Sequence, residues 1–242
     1  MVIDCTGVFK TRDDLRKHLR GTVKKVVLTV PSKDDSIPHV VMGANNDTFD
    51  WKGADIISNA SCTTNCAALM MKVLQQEFGV ETSFISTIHA YTSSQMLVDN
   101  PADKFTRGRA AAMSIIPTTT GASDAVCKVT DLHADHMGGM AFRVPTPTGS
   151  ITDITAVLKK SVTKDDINNA FKKHADGDLK KYLAYAEDEL VSADYIASPA
   201  SCTFDPHYTT VLNGNFVKCY GWYDNEWGYS NRVVDVIGTL AE

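Results

Sequence analysis

Residues 25–30 read Lys-Val-Val-Leu-Thr-Val and are stopped by Pro31. A strand with no apolar–polar alternation is buried on both faces, the mark of a parallel sheet covered by helices. Proline cannot donate into a sheet ladder, so the strand ends there. The segment before it fits the same plan. Residues 1–9 form an apolar, strand-like run, and Thr11 caps an amphipathic helix expected over residues 12–19. Asp14 lies in that helix's first turn and Gly21 ends it. Residues 39–43 and 54–60 have the character of two further strands. Strand, helix, strand in close succession defines an α/β class, here a partial Rossmann-type parallel sheet.

Beyond Ala60 the pattern changes. Ala67, Met70, Met71, Val73, Leu74 and Phe78 give one apolar face to a helix over residues 63–78. Residues 83–92 read as a strand, 91–112 as a long polar loop, and 121–129 as a helix. Residues 139–146 and 151–159 alternate strongly enough to be expected as antiparallel neighbours. Thr163 caps a helix to about Ala175, with Asp165 and Asp166 placed against its dipole. Residues 208–212, Asn213-Gly214 and 216–223 spell a hairpin, and residues 226–240 form a last helix. A boundary is expected near Ala60, where the parallel rhythm gives way to an α+β region with a mostly antiparallel sheet.

Several function classes are excluded by simple counts. Among 242 residues, 24 Lys and Arg against 29 Asp and Glu give a net charge of −5. No basic stripe marks a nucleic-acid surface, and no apolar run approaches the ~18 residues that cross a bilayer. No signal peptide is expected in the opening segment, because acidic residues interrupt it before an apolar region forms. Six cysteines without framework spacing indicate a reducing, cytoplasmic setting with one or two chemically active thiols.

The chemistry gathers at Ser58-Asn59-Ala60-Ser61-Cys62-Thr63-Thr64-Asn65-Cys66. Cys62 falls in the first turn of a helix, where free N–H groups and the positive dipole end favour an anion, so its thiol is expected to be acidified. The bland reading of Cys62 is a small buried hydrophobe. Cys62 and Cys66 lack two further ligands at finger-like spacing, which argues against zinc. His89 reads either as a structural strand histidine or, if the sheet brings its strand end to the Cys62 helix, as the thiol's base. Arg143 stands mid-strand among apolar neighbours, where an unpaired charge is costly, and is expected to meet an anion. Arg107, Arg109 and the helix start Pro117-Thr118-Thr119-Thr120-Gly121 offer further anion donors.

The ordered motifs SNASCTTNC, HAYT, IPTTTGA, RVPTPT and WYDNEWGYSNR closely resemble those of the phosphorylating glyceraldehyde-3-phosphate dehydrogenase family, from DCTGVF at Cys5 to the C-terminus. The resemblance implies that Cys62 is the nucleophile and His89 its base. It implies that Thr92 and Arg143 hold the phosphate of glyceraldehyde 3-phosphate, while Ser61, Thr63, Arg107, Thr120 and Gly121 line the site for inorganic phosphate. It makes Asn225 a contact of the nicotinamide carboxamide of NAD with Tyr229 beside it, and Thr6, Gly7 and Thr29 further cofactor contacts. The loop 91–112 resembles one that crosses a subunit interface, implying a homotetramer, and Pro101 within it is of the type found in NAD-using relatives. Neither membrane nor nucleic-acid partners are implied.

Departures accompany the resemblance. The family opens with a Gly-rich βαβ unit that cradles pyrophosphate, and no G-x-G-x-x-G precedes Cys62. Because Met1 falls inside what should be a central strand, the expectation is a piece of a longer gene. Asp124 stands where most relatives carry Lys, and Ser93-Ser94 and Met96 replace Asn-Asp and Arg. An erythrose-4-phosphate dehydrogenase, a Cys–His hydrolase and a non-catalytic binding fragment are the alternatives. The first diverges from the HAYT and TTTGA runs, and the second lacks an identifiable oxyanion hole and orienting third residue.

Overall fold

The structure is a computed structural model describing residues 1–241. Two sheets organise it. The first is parallel, with β1 (Val2–Asp4), β2 (Val26–Leu28) and β3 (Ile56–Ser58) in that order. All three residues of β2 are fully buried, as a central parallel strand requires. Leu15, Leu28, Ile37 and Ile56 pack one side of this sheet. Val27, Val40, Met42 and Ile57 pack the other, against Val236 of the last helix. The helix after β1 is shorter than expected: α1 (Arg12–Leu15), capped by the Thr11 side chain, tightens into a 3₁₀ turn at Arg16–His18.

Residues 39–43 are not a strand. His39 alone bridges to Ser58, and the segment then turns. Asn45 Oδ1 accepts from Val41 N–H and Asn46 Oδ1 from Gly43 N–H, diverting donors that a ladder would need. Gly43 has φ +88°, which an L side chain resists.

The second sheet has seven strands. β4 (Val80–Ala90), β5 (Ile116–Thr119), β6 (Met137–Val144), β7 (Ser150–Leu158), β8 (Leu183–Tyr185), β9 (Cys202–Leu212) and β10 (Phe216–Tyr223) lie in the order β5-β6-β4-β7-β10-β9-β8. Only β4–β6 and β8–β9 pair in parallel. The expected neighbours β6 and β7 are separated by β4, which runs parallel to one and antiparallel to the other. The physical reason lies in β4 itself. Ser83, Ile85, Thr87 and His89 on its inner face are buried, and a strand so covered needs both edges paired.

Helices α2 (Cys62–Phe78), α3 (Ala122–Cys127) and α4 (Lys164–Asp176) cover that inner face. Twelve of α2's seventeen residues are buried, making it the central element of the core beside the seven-stranded sheet. α4 starts with a capping box in which Thr163 and Asp166 satisfy each other's backbone donors. Phe171 of α4 stacks on Phe204 of β9 with ring centres 3.8 Å apart. The β9–β10 hairpin turns through Asn213 and Gly214, both at positive φ, with Asn215 added to the two-residue turn expected. Helix α5 (Trp227–Ala241) then returns to the parallel sheet.

Candidate active site

β3 must turn sharply to release α2, and Ala60 does it at φ +52°. A non-glycine residue holds that conformation only where its surroundings enforce it. Ala60 N–H donates to Ser58 Oγ, and the Ala60 carbonyl accepts from the Tyr229 hydroxyl at 3.2 Å. Asn65 Nδ2 clamps the carbonyls on either side, Asn59 O and Ser61 O. Ser61 is the N-cap, its Oγ accepting from Thr64 N–H. Cys62 is thereby fixed at the first helical position.

The sheet brings His89 to it. Cys62 Sγ and His89 Nε2 are 3.4 Å apart. Behind the imidazole, Nδ1 lies 2.7 Å from the Ala90 carbonyl and 2.8 Å from Arg143 Nη1, and Nη1 donates to the same carbonyl at 3.0 Å. Two tautomers follow. With the Nδ1 proton on the Ala90 carbonyl, Nε2 is an acceptor facing the thiol; with Arg143 donating to Nδ1, Nε2 is a donor toward sulfur. Burial, then the Arg143 charge, lowers the His89 pKa to about 4. At neutral pH the imidazole is therefore uncharged.

The thiol departs from expectation. Burial pushes the Cys62 pKa up, outweighing the pull of the Thr63 N–H and of Arg143. Helix-end acidification is present but loses to dehydration, so the resting pair is neutral thiol and neutral imidazole.

Thr63 is buried, its Oγ1 hydrogen-bonded at 2.8 Å to the Tyr223 hydroxyl, which also meets Thr87 Oγ1. The Tyr223 ring stands edge-on to His89. Arg143 finds no carboxylate, and its Nε is buried without a partner among the described residues. Arg107 likewise lacks an acid: Nε donates to Thr118 Oγ1 and Nη1 to Ser94 Oγ, which bonds to Thr92 Oγ1. Thr92 and Arg107 are thus joined through Ser94. Arg109 pairs instead with Asp99. Thr120 Oγ1 caps the Ala122 N–H, and Gly121 is the N-cap of α3.

Of the expected cofactor contacts, Thr6, Gly7 and Thr29 sit just past the carboxyl ends of β1 and β2, where open parallel sheets take ligands. Gly7 has φ +67° and open space where a side chain would be. Asn225 is buried, and its Oδ1 accepts from Gly149 N–H and Ser150 Oγ, leaving Nδ2 as a donor. Tyr229 is in contact with the Cys62 turn, as described above.

Sequence reasoning missed Ala60, Asn65, Tyr223 and Ser94. Ala60 and Asn65 act within the turn, through bonds to Ser58, Asn59 and Ser61, whereas Tyr223 reaches Thr63 and Thr87 from distant β10. Ser94 carried a local signal, as a hydroxyl two residues after Thr92.

The fold thus sets a thiol at a helix start against an uncharged imidazole, with two guanidiniums nearby that meet no carboxylate among the described residues. Residues 61–225 match the family described as glyceraldehyde 3-phosphate dehydrogenase, C-terminal domain. The chain is 50% identical over 236 residues to glyceraldehyde-3-phosphate dehydrogenase 2 of Streptomyces avermitilis, covering 98% of this chain and 70% of that protein. It is 52% identical over 237 residues to glyceraldehyde-3-phosphate dehydrogenase of Streptomyces coelicolor, with the same coverage. It is 48% identical over 241 residues to the enzyme of that name from Geobacillus stearothermophilus, covering 100% of this chain and 72% of that one. The chain belongs to the glyceraldehyde-3-phosphate dehydrogenase family.

Proposed function

We propose that this chain carries the catalytic machinery for oxidising D-glyceraldehyde 3-phosphate to 1,3-bisphosphoglycerate with NAD and inorganic phosphate. The observation that carries the reading is the 3.4 Å contact of Cys62 Sγ with His89 Nε2, backed by Arg143.

In the tautomer with Nδ1–H on the Ala90 carbonyl, Nε2 accepts the thiol proton as sulfur attacks the aldehyde carbon. The proton passes to the alkoxide oxygen, giving a hemithioacetal on Cys62. Nε2 then holds the hydroxyl proton again during oxidation to the thioester. A thioester conserves the oxidation energy until phosphate oxygen attacks its carbonyl carbon and releases the Cys62 sulfur. Arg143 and Thr92 suit the substrate's phosphate, and Arg107 with the Thr120-Gly121 helix start suits the attacking phosphate; Ser61 and Thr63, whose hydroxyls are already engaged, act through their place on the turn. For the cofactor, the free Nδ2 of Asn225 fits a carboxamide oxygen, and Thr6, Gly7, Thr29 and Tyr229 would complete the contacts. When bound, the nicotinamide supplies the hydride acceptor. The chain spans about 70% of the length of these relatives.

We extend the reading to a three-part division at residues 1–61, 62–225 and 226–242, supported by the extent of the family match and by Val236 packing on the parallel sheet. A cytoplasmic homotetramer fits as well. Phe84 and Phe216 on the outer sheet face are 44% and 39% exposed, and Leu97, Val98 and Phe105 of the loop 91–112 project further. Among the described residues no helix is long and apolar enough to cross a membrane.

The test is NADH formation from three-carbon phosphorylated aldehyde with phosphate or arsenate, in this sequence joined to the N-terminal segment of a relative that lies outside the matched region. Activity lost in Cys62→Ser supports the assignment; activity retained there ends it.

A further inference from the structure

Behind the active site, between α2 and the sheet, sulfur atoms converge. The position that a Cβ on Gly221 of β10 would take lies 2.5 Å from Cys202 Sγ, 2.6 Å from Met70 Sδ and 3.2 Å from Cys66 Sγ. All three residues are fully buried. They come from separate elements, Cys66 and Met70 from α2 and Cys202 from the start of β9. Gly221 permits the approach, since any side chain there would collide with all three sulfurs. Cys66 donates over a long 3.8 Å to the Gly221 carbonyl and also meets the Cys202 thiol. The proposed dehydrogenase chemistry uses none of these atoms.

Two thiols and a thioether packed together in the interior form a donor set of one chemical kind. Soft sulfur ligands select soft cations, and oxygen-seeking magnesium or calcium finds nothing here. We propose that Cys66, Cys202 and Met70 form a binding site for a soft monovalent metal ion of the copper(I) or silver(I) type. Binding replaces one thiol proton: the cation and one Cys–SH give a metal–thiolate bond and a released proton, with the second thiol and the thioether as neutral donors. The product has no net charge, which suits an apolar interior. Burial and the neighbouring Cys66 push the Cys202 thiol well up, so metal capture at that sulfur competes with its proton.

The test uses silver(I), which needs no reductant, on the full chain with Cys5, Cys62 and Cys127 changed to Ser. That background removes every thiol that is not fully buried. The expected result is one silver ion retained per chain through gel filtration, one proton released per ion, and weaker retention at pH 5 than at pH 8. Met70→Leu, which preserves volume, should weaken retention about tenfold or more, in line with the loss of a metal-site partner. Cys202→Ser should abolish it, while Cys219→Ser should leave it unchanged. Circular dichroism verifies that each variant is folded, and Met70→Leu decides the matter if Cys202→Ser unfolds. No retained silver in the background protein, or equal retention in the folded Met70→Leu variant, overturns the proposal.

Discussion

His89 of β4 and Arg143 of β6 are register partners across a parallel strand pair, and their side chains meet with Nδ1 and Nη1 2.8 Å apart. A guanidinium so placed does two things. It helps to hold the imidazole neutral, second only to burial in that effect. It also presents a buried, unpartnered Nε, the sort of donor that an anion would satisfy.

Arg143→Leu should therefore act on two observables. The KM for phosphorylated aldehyde should rise by one to two orders of magnitude, the equivalent of roughly 1.5–3 kcal/mol of charge-assisted hydrogen bonding. An unphosphorylated aldehyde should be nearly unaffected. The acid limb of the pH–rate profile should also move to higher pH, because His89 loses a neighbouring positive charge. Steady-state kinetics with both aldehydes across pH 5–9 measures both effects.

The thiol makes a second prediction, opposite to the one that its helix-end position suggests. Because burial raises the Cys62 pKa, its alkylation by iodoacetamide should still be accelerating at pH 9 rather than levelling near neutrality. Exposed Cys5 should label in the folded protein, and Cys66, Cys202 and Cys219 should not label until it unfolds. Replacing His89 by Asn removes the proton acceptor at 3.4 Å and should lower kcat by about 10²–10⁴-fold. Mass spectrometry of timed, pH-stepped labelling reads the first part. An alkylation plateau for Cys62 below pH 8 would overturn it.

A third prediction concerns stability in acid. His39 and His89 both have pKa values lowered to about 4 by burial, against about 6.5 in an unfolded chain. The unfolded chain therefore binds more protons between pH 6.5 and 4, and folding stability must fall as pH falls through that window. Each histidine contributes on the order of 3 kcal/mol of loss by the lower end. For His39 the local cause is visible: its Nε2 accepts from Ser32 N–H, and protonation abolishes that acceptor. Denaturant melts at pH 7 and pH 4.5 should show the fall, and His39→Gln should remove about half of the pH dependence.

How much of this was legible beforehand depended on range. The parallel segment, the long helix after Cys62, the Thr163 cap and the Asn213-Gly214 turn were all written in short windows, through periodicity and capping chemistry. The insertion of β4 between β6 and β7 was not, because local alternation records which face is buried and not which strand lies alongside. Cys62 and His89 could be named from position and resemblance, and the sheet order explains why they meet. The charge state of the thiol was misjudged for a physical reason. A helix dipole can be read from sequence, whereas dehydration depends on elements that pack around the thiol from distant parts of the chain.

The last prediction turns on Ser94, whose hydroxyl joins Thr92 to Arg107. It is neutral, so Arg107 keeps its full charge for an incoming anion. In Ser94→Asp the new carboxylate would reach Arg107 Nη1, now 3.2 Å from Ser94 Oγ, and pair with it. Because Ser94 is exposed and Arg107 only half-buried, such a pair is worth about 0.2–1 kcal/mol. The KM for inorganic phosphate should therefore rise by no more than roughly fivefold, with kcat in saturating phosphate unchanged. Ser94→Ala separates the two roles of the hydroxyl. It keeps the charge of Arg107 but breaks the tie to Thr92, so the KM for the phosphorylated aldehyde should respond while that for inorganic phosphate holds. Initial-rate kinetics varying each substrate in turn distinguishes these outcomes, and an unchanged phosphate KM in Ser94→Asp would place Arg107 outside the phosphate site.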